Sequence, residues 1–148
     1  KILIGEKTAE RVKMEIGSVL SGHDSVESIV RGRDLVTGLP REVVITDSDL
    51  REALAQSIDT LIESIKEVLE SAPPEILSDV MKRGIHLVGG GALLKGLSEF
   101  LHEWLKVPIY IAEDPLTSVA RGTGVILENL EEFEDLLVKN EDELPLKN

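Results

Sequence analysis

The sequence contains no cysteine, so neither a disulfide nor a thiolate-bound metal can stabilise its fold. Basic charge is also scarce, with 16 Lys and Arg against 28 Asp and Glu and a formal net charge of −12. Non-specific nucleic-acid binders and proteins that adhere to anionic membranes carry basic faces, so this balance argues against both classes. We therefore expect no nucleic-acid partner.

Long apolar runs and metal-ligand patterns are missing as well. No run approaches the roughly 20 apolar residues that span a bilayer, and the opening residues 1–5 are too short for a secretion signal. His23, His86 and His102 lie far apart in the sequence, so we expect no metal site. These absences favour an intracellular chain without a membrane segment of its own, and its abrupt apolar start indicates a piece of something longer.

Hydrophobic periodicity predicts a mixed α/β chain whose 148 residues suffice for one domain or two small subdomains. Capping side chains at residues 46–49 open the longest predicted helix, and Pro73 and Pro74 end it. Trp104 falls on the apolar face of another helix, which assigns it to the core. The predicted helices cover residues 6–20, 47–71, 75–83, 97–105 and 116–127, and the predicted strands cover residues 26–33, 41–46, 85–88 and 107–112.

A glycine-rich stretch at residues 84–96 is the strongest candidate for a ligand contact. An apolar run at 85–88 predicts a buried strand, three glycines follow it, and the next apolar residues resemble the opening of a helix. Backbone N–H groups in such a turn can approach a phosphate closely, aided by the positive end of a helix dipole. The glycine spacing matches neither the dinucleotide fingerprint nor the P-loop. The candidate contacts are Gly89, Gly90, Gly91, Ala92 and Leu93.

Three residues of the first predicted helix, Glu10, Lys13 and Gly17, fall in one narrow strip because positions i, i+3 and i+7 nearly superpose on a helix. One interpretation is an exposed ion pair beside the core face. The other is a strip that contacts a ribose, with Glu10 accepting from hydroxyls, Lys13 donating, and Gly17 leaving space for a flat base. Spacing alone does not separate the two interpretations.

Catalytic groups do not stand out in the sequence. It has no nucleophile elbow and no Ser, His and Asp set with a defensible arrangement. We therefore predict no catalytic residues, and no complete enzyme from this chain alone.

Three segments strongly resemble the MreB family, the bacterial actin-like cell-shape proteins: IGEKTAERVKMEIG at 4–17, VRGRDLVTGLP at 30–40 and RGIHLVGGGALLKGL at 83–97. Shorter matches at 51–54, 73–75 and 112–117 follow in the same order. The resemblance runs from residue 2 to about residue 130 and leaves only the acidic tail outside.

The resemblance implies an α/β fold, the C-terminal portion of an actin-like (ribonuclease H-like) ATPase. In that family a small outer α+β subdomain and an inner α/β subdomain form each half of the molecule, with ATP and Mg²⁺ in the cleft between halves. Residues 1–71 would belong mainly to the outer subdomain, residues 72–128 to the inner one, and residues 129–148 form the acidic tail.

The resemblance also implies an ATP/ADP site and favours the ribose-contacting interpretation of the first helix. The family's two phosphate loops, through which Mg²⁺ is held, and its membrane-binding segment are missing from this sequence. We therefore expect weak nucleotide binding at best, and no hydrolysis, from this chain alone. The implied nucleotide-binding residues are Glu10, Arg11, Val12, Lys13, Gly17, Gly89, Gly90, Gly91, Ala92 and Leu93.

The implied biological role is that of half of a cytoskeletal protein that forms ATP-dependent filaments and directs rod cell shape. Its partners would be further copies of itself and proteins of cell shape and wall synthesis, in the cytoplasm at the inner face of the membrane. An alternative of another class is a free-standing interaction module that keeps filament or partner surfaces without catalysis. A relative in the wider sugar-kinase and chaperone superfamily is a third, disfavoured by the cell-shape motifs.

Overall fold

The structure is a computed structural model that describes residues 2–22, 25–134 and 137. Most of the predicted acidic tail and His23 therefore lie outside the described residues. The strands are β1 (Ile2–Leu3), β2 (Glu27–Asp34), β3 (Pro40–Thr46), β4 (Ile85–Leu87) and β5 (Ile109–Ile111), and the helices are α1 (Glu6–Ile16), α2 (Asp47–Ser71), α3 (Pro74–Arg83), α4 (Leu97–Leu105) and α5 (Ser118–Glu128).

The first sheet is antiparallel, in the order β1-β2-β3, and it confirms the predicted hairpin. The β2–β3 register runs from Glu27 opposite Thr46 to Arg33 opposite Pro40. Helix α1 packs on this sheet through a buried cluster of Val12, Ile16 and Val30. Helix α1 is therefore held by the sheet, with its opposite strip exposed.

The hairpin turn is fixed by Asp34, which is buried at the end of β2. Its carboxylate accepts hydrogen bonds from the N–H groups of Val36 and Thr37, at 2.8 and 2.9 Å, and from Arg41 Nη1 at 2.7 Å. The bond from Thr37, followed by those from Arg41 and Val36, holds the pKa of the Asp34 carboxyl well below its ordinary range.

The substitution Asp34→Asn is expected to lower the free energy of unfolding at neutral pH, because it removes the carboxylate that these donors stabilise. Because the pKa of Asp34 is lower in the folded than in the unfolded state, its carboxylate stabilises the fold at pH values above the unfolded aspartate pKa of about 3.9. This stabilisation decreases as the pH falls towards the pKa of the folded state. The wild-type advantage should therefore shrink in acid. Urea unfolding across this pH range measures it, with Asp59→Asn on the exposed face of α2 as control. If the difference in free energy of unfolding between the wild type and Asp34→Asn does not change with pH, the Asp34 carboxylate does not stabilise the turn in this way.

Helix α2 connects two parts of the core. It begins with the predicted capping box, in which Thr46 Oγ1 accepts from the N–H of Asp49 at 3.2 Å and the Asp49 side chain accepts from the N–H of Thr46 at 2.8 Å. Its first turns place Leu50 against the α1 cluster. Further along, Ile58 and Ile62 join a second buried cluster with Val19, Leu97 and Leu101.

The second sheet pairs β4 with β5 in parallel, and α4 packs beside it through Leu101. The two predicted strands are confirmed, although each is shorter than expected. Neither α3 nor α5 has a buried residue. Apolar side chains of α5, such as Val119 and Leu127, are therefore exposed. The predicted boundary between subdomains at residue 71 stays a prediction.

Four predictions of local structure are wrong. The first helix, predicted to reach residue 20, ends at Ile16 because Gly17 takes an extended conformation. Strand β4 was predicted to be buried, but only one of its faces is covered: Leu87 packs against the Leu101 cluster, whereas His86 and the following Val88 are exposed.

The other two wrong predictions concern the glycine turn and Trp104. The residues after the glycines form a 3₁₀ turn, Gly90–Leu93, and the α-helix begins only at Leu97, because Gly96 takes a left-handed conformation that interrupts the helix. Trp104 is 54% exposed rather than buried. Its ring contacts Phe100, with centroids 6.2 Å apart, and Lys66 Nζ lies 5.4 Å from its centroid, so neighbouring side chains cover it in part.

Candidate nucleotide site

The exposed strip of α1 presents two charged side chains, Glu10 and Lys13. Within residues 2–22, 25–134 and 137, neither side chain forms an ion pair or a hydrogen bond. The exposed ion pair that spacing allowed is therefore not formed. Both residues line a groove of about 440 Å³ between α1 and the start of α2, whose apolar wall includes Leu50 and Leu54.

The two residues between them face elsewhere. Arg11 pairs with Glu15 at 2.5 Å and donates to the carbonyl of Ile29 at 3.2 Å, so its guanidinium lies against β2. Val12 is only 2% exposed and belongs to the core. Of the four consecutive residues at 10–13, only Glu10 and Lys13 thus offer unpaired side chains to a ligand.

The glycine turn offers backbone donors. The N–H of Gly89 donates to the carbonyl of Pro115 at 2.6 Å. The carbonyls of Gly89 and Gly91 accept hydrogen bonds from the N–H groups of Ala92 and Leu94. The N–H groups of Gly90 and Gly91 have no acceptor anywhere in the described part of the chain. Both glycines are exposed, so two adjacent N–H groups are available to an anion.

The last two predicted contacts differ in what they can offer. Ala92 is buried and faces the protein, whereas Leu93 is exposed beside the turn. Apart from Gly91 and its two chain neighbours, the described residues place no atom within 4 Å of the position that a Cβ would take there, so packing against them does not explain this glycine. Close approach of a ligand to the backbone would explain it.

The structure brings the glycine turn and α1 together through Leu94 and Lys95, which the sequence did not single out. A Cβ at Gly17 would lie 3.1 Å from Leu94 Cδ1 and 2.3 Å from the carbonyl oxygen of Lys13. The N–H of Val19 donates to the carbonyl of Lys95 at 2.9 Å. The Gly17–Leu94 and Val19–Lys95 contacts join positions more than 70 residues apart, which leaves no periodic signal in one sequence.

The role that the sequence suggested for Gly17, leaving space for a flat base, is not the one the structure gives it. Gly17 is buried, and Leu94 occupies the space beside it. Glycine is needed here chiefly because a Cβ would lie 2.3 Å from the carbonyl oxygen of Lys13 in the last turn of α1, with the Leu94 side chain at 3.1 Å as a second neighbour.

The assembled groups suit binding better than chemistry. Free N–H groups and the Lys13 ammonium match an anion such as a phosphate, and the Glu10 carboxylate matches hydroxyl donors such as those of a ribose. Among the described residues, no group of three or more His, Asp or Glu side chains is placed to hold a metal ion. No described helix has the length and apolar character to cross a bilayer.

Comparison with known proteins places the chain in a family. The family model described as MreB/Mbl protein matches residues 1–135. The cell shape-determining protein Mbl of Bacillus cereus is 47% identical over 131 residues, which are 88% of this chain and 39% of that protein. MreB5 of Spiroplasma citri bound to ADP superposes with a TM-score of 0.84 at 35% identity, over 90% of this chain and 41% of that one. Its AMPPNP-bound form gives a TM-score of 0.83 at 36% identity, over 92% and 41%.

The chain thus spans about two fifths of the length of these relatives. The matches confirm the predicted family and the predicted fold, a portion of an actin-like α/β protein. With a family model covering residues 1–135 and a relative 47% identical, the chain belongs to the MreB/Mbl family.

Proposed function

We propose that this chain forms one side of an ATP/ADP site in an actin-like protein that assembles into filaments and directs cell shape. The proposal is carried by two sets of polar groups that have no hydrogen-bond or ion-pair partner among the described residues. The N–H groups of Gly90 and Gly91 lie on the glycine turn, and the side chains of Glu10 and Lys13 lie on α1. The solved relatives bound to ADP and AMPPNP support the same ligand class.

In the proposed complex, Gly90 and Gly91 donate backbone hydrogen bonds to phosphate oxygens. Glu10 accepts from ribose hydroxyls, and Lys13 donates to the sugar or the phosphates. We place no metal step and no hydrolysis on the described residues, among which no group of three or more His, Asp or Glu side chains is placed to hold a metal ion.

Filament assembly, wall-synthesis partners and a cytoplasmic position beneath the membrane are parts of the same proposal. They are supported by membership of a family whose relatives include cell shape-determining proteins. The exposed apolar side chains of α5, including Val119, Val125 and Leu127, support burial of this side against further protein.

The substitutions Glu10→Gln and Lys13→Met are each expected to weaken ADP binding by about tenfold or more, because a charge-assisted hydrogen bond is lost. Stability should change by less than about 0.5 kcal/mol, since both side chains are exposed and unpaired. Calorimetric or fluorescence titration of ADP measures the affinity, and thermal unfolding measures the stability.

Matched controls are Glu70→Gln on α2 and Lys82→Met on α3, which are exposed and lie outside both α1 and the glycine turn. They should leave ADP affinity unchanged. If the α1 variants keep their ADP affinity, or if the controls lose as much, Glu10 and Lys13 do not contact the nucleotide as proposed.

A further inference from the structure

The chain leaves the glycine turn by crossing the C-terminal end of α1. Ser18 and Lys95 form a parallel β-bridge, and the carbonyl of Lys95 accepts the N–H of Val19 at 2.9 Å. The side chain of Lys95 turns back across the helix end, where its Nζ donates to the carbonyl of Glu15 at 3.2 Å. Lys95 therefore holds α1 through both its backbone and its side chain.

The ammonium of Lys95 is well placed for this task. The last carbonyls of a helix have no partner within the helix and carry the negative end of its dipole, so a cation beside them is stabilising. The N–H of Gly17 already donates to the carbonyl of Lys13 at 2.9 Å. Lys95 supplies a further donor, to Glu15, and does so from another part of the chain.

Lys95 follows Gly90 and Gly91, whose N–H groups are free, by only a few residues, and a hydrogen bond holds the chain between them in a turn. The N–H of Leu94 donates to the carbonyl of Gly91 at 3.1 Å, and the Leu94 side chain covers Gly17. A shift of Lys95 relative to α1 would therefore move Gly90 and Gly91 relative to Glu10 and Lys13.

We propose that Lys95 is a positioning residue that sets the distance between the phosphate-facing turn and the ribose-facing strip of α1, so that one nucleoside diphosphate reaches both. This inference rests on the proposed nucleotide site. Lys95 does not touch the nucleotide: it acts through Glu15 and the end of α1.

The test compares ADP with its two parts, adenosine and inorganic pyrophosphate, by amide-shift titration of the full chain. The substitution Lys95→Met keeps the aliphatic stem and removes the donor. It should weaken ADP binding by about threefold to tenfold while the affinities for adenosine and for pyrophosphate stay unchanged, because only the advantage of linking two contacts is lost. Lys95→Arg should restore ADP affinity, and Lys82→Met should match the wild type.

Two results would overturn the inference while the proposed site stands. One is an unchanged ADP affinity in Lys95→Met. The other is a loss of pyrophosphate affinity as large as that of ADP, which would mean that Lys95 contacts phosphate directly. Absence of ADP binding by the unsubstituted chain contradicts the proposed site itself, and this inference with it.

Discussion

Replacing Gly84 by alanine is expected to lower the free energy of unfolding by about 3 kcal/mol or more. Gly84 links α3 to β4 with φ 77° and ψ −172°, a conformation that residues with a side chain rarely adopt. An alanine Cβ there would lie 2.4 Å from the carbonyl oxygen of Pro108. That carbonyl accepts the N–H of Ile85 at 2.8 Å, so relieving the clash disturbs the first pairing of β4 with β5.

The control is Gly122→Ala in the interior of α5. Beyond the backbone of α5 itself, no atom of the described residues lies within 4 Å of the Cβ position at Gly122, so alanine should stabilise the helix by up to about 1 kcal/mol. The same substitution is thus expected to act with opposite signs at the two glycines. Urea unfolding of both variants tests this, and a loss at Gly84 no larger than the change at Gly122 would show that the backbone there is not strained.

The second large effect is expected for Leu101→Ala, with a loss of about 2–5 kcal/mol. Leu101 is 0% exposed and lies in the cluster that joins α4 to α2, where it packs with Ile58, Ile62 and Leu97. Truncation removes apolar contacts and leaves a cavity between the two helices. Because folded domains usually have a free energy of unfolding of about 5–15 kcal/mol, the variant would lose a large part of its stability.

The matched control is Leu116→Ala, at a position that is 67% exposed. It should change the free energy of unfolding by less than about 0.5 kcal/mol. Chemical denaturation of the two variants at equal concentration gives the difference. Equal losses at the two leucines would contradict the placement of the α2–α4 core.

Local sequence signals predicted the elements whose causes are local. The capping residues Thr46 and Asp49 and the prolines after Ser71 mark the ends of α2, and alternating side chains mark the hairpin. Each signal acts within a few residues, so one sequence is enough to detect it. The family resemblance, carried by longer motifs, extended this to the fold.

The features that sequence reasoning missed depend on contacts between distant residues. Trp104 sits on an apolar helical stripe, yet the cluster around Leu101 is complete without it. Leu94 fills the space beside Gly17, which no pattern at residue 17 reveals. For the site, spacing placed Glu10 and Lys13 on one strip, but only the structure shows that they do not pair with each other.

The most direct test of the central claim is an ADP titration of the isotope-labelled chain, followed by backbone amide NMR. Saturable shifts are expected at Gly90 and Gly91 together with shifts at Glu10 and Lys13, even if binding is weak. Pyrophosphate alone should move the two glycine amides and leave the Glu10 amide, on the ribose-facing side, unchanged. If ADP leaves all four amides unshifted at saturation, or binds only elsewhere, the glycine turn and α1 do not form a nucleotide site.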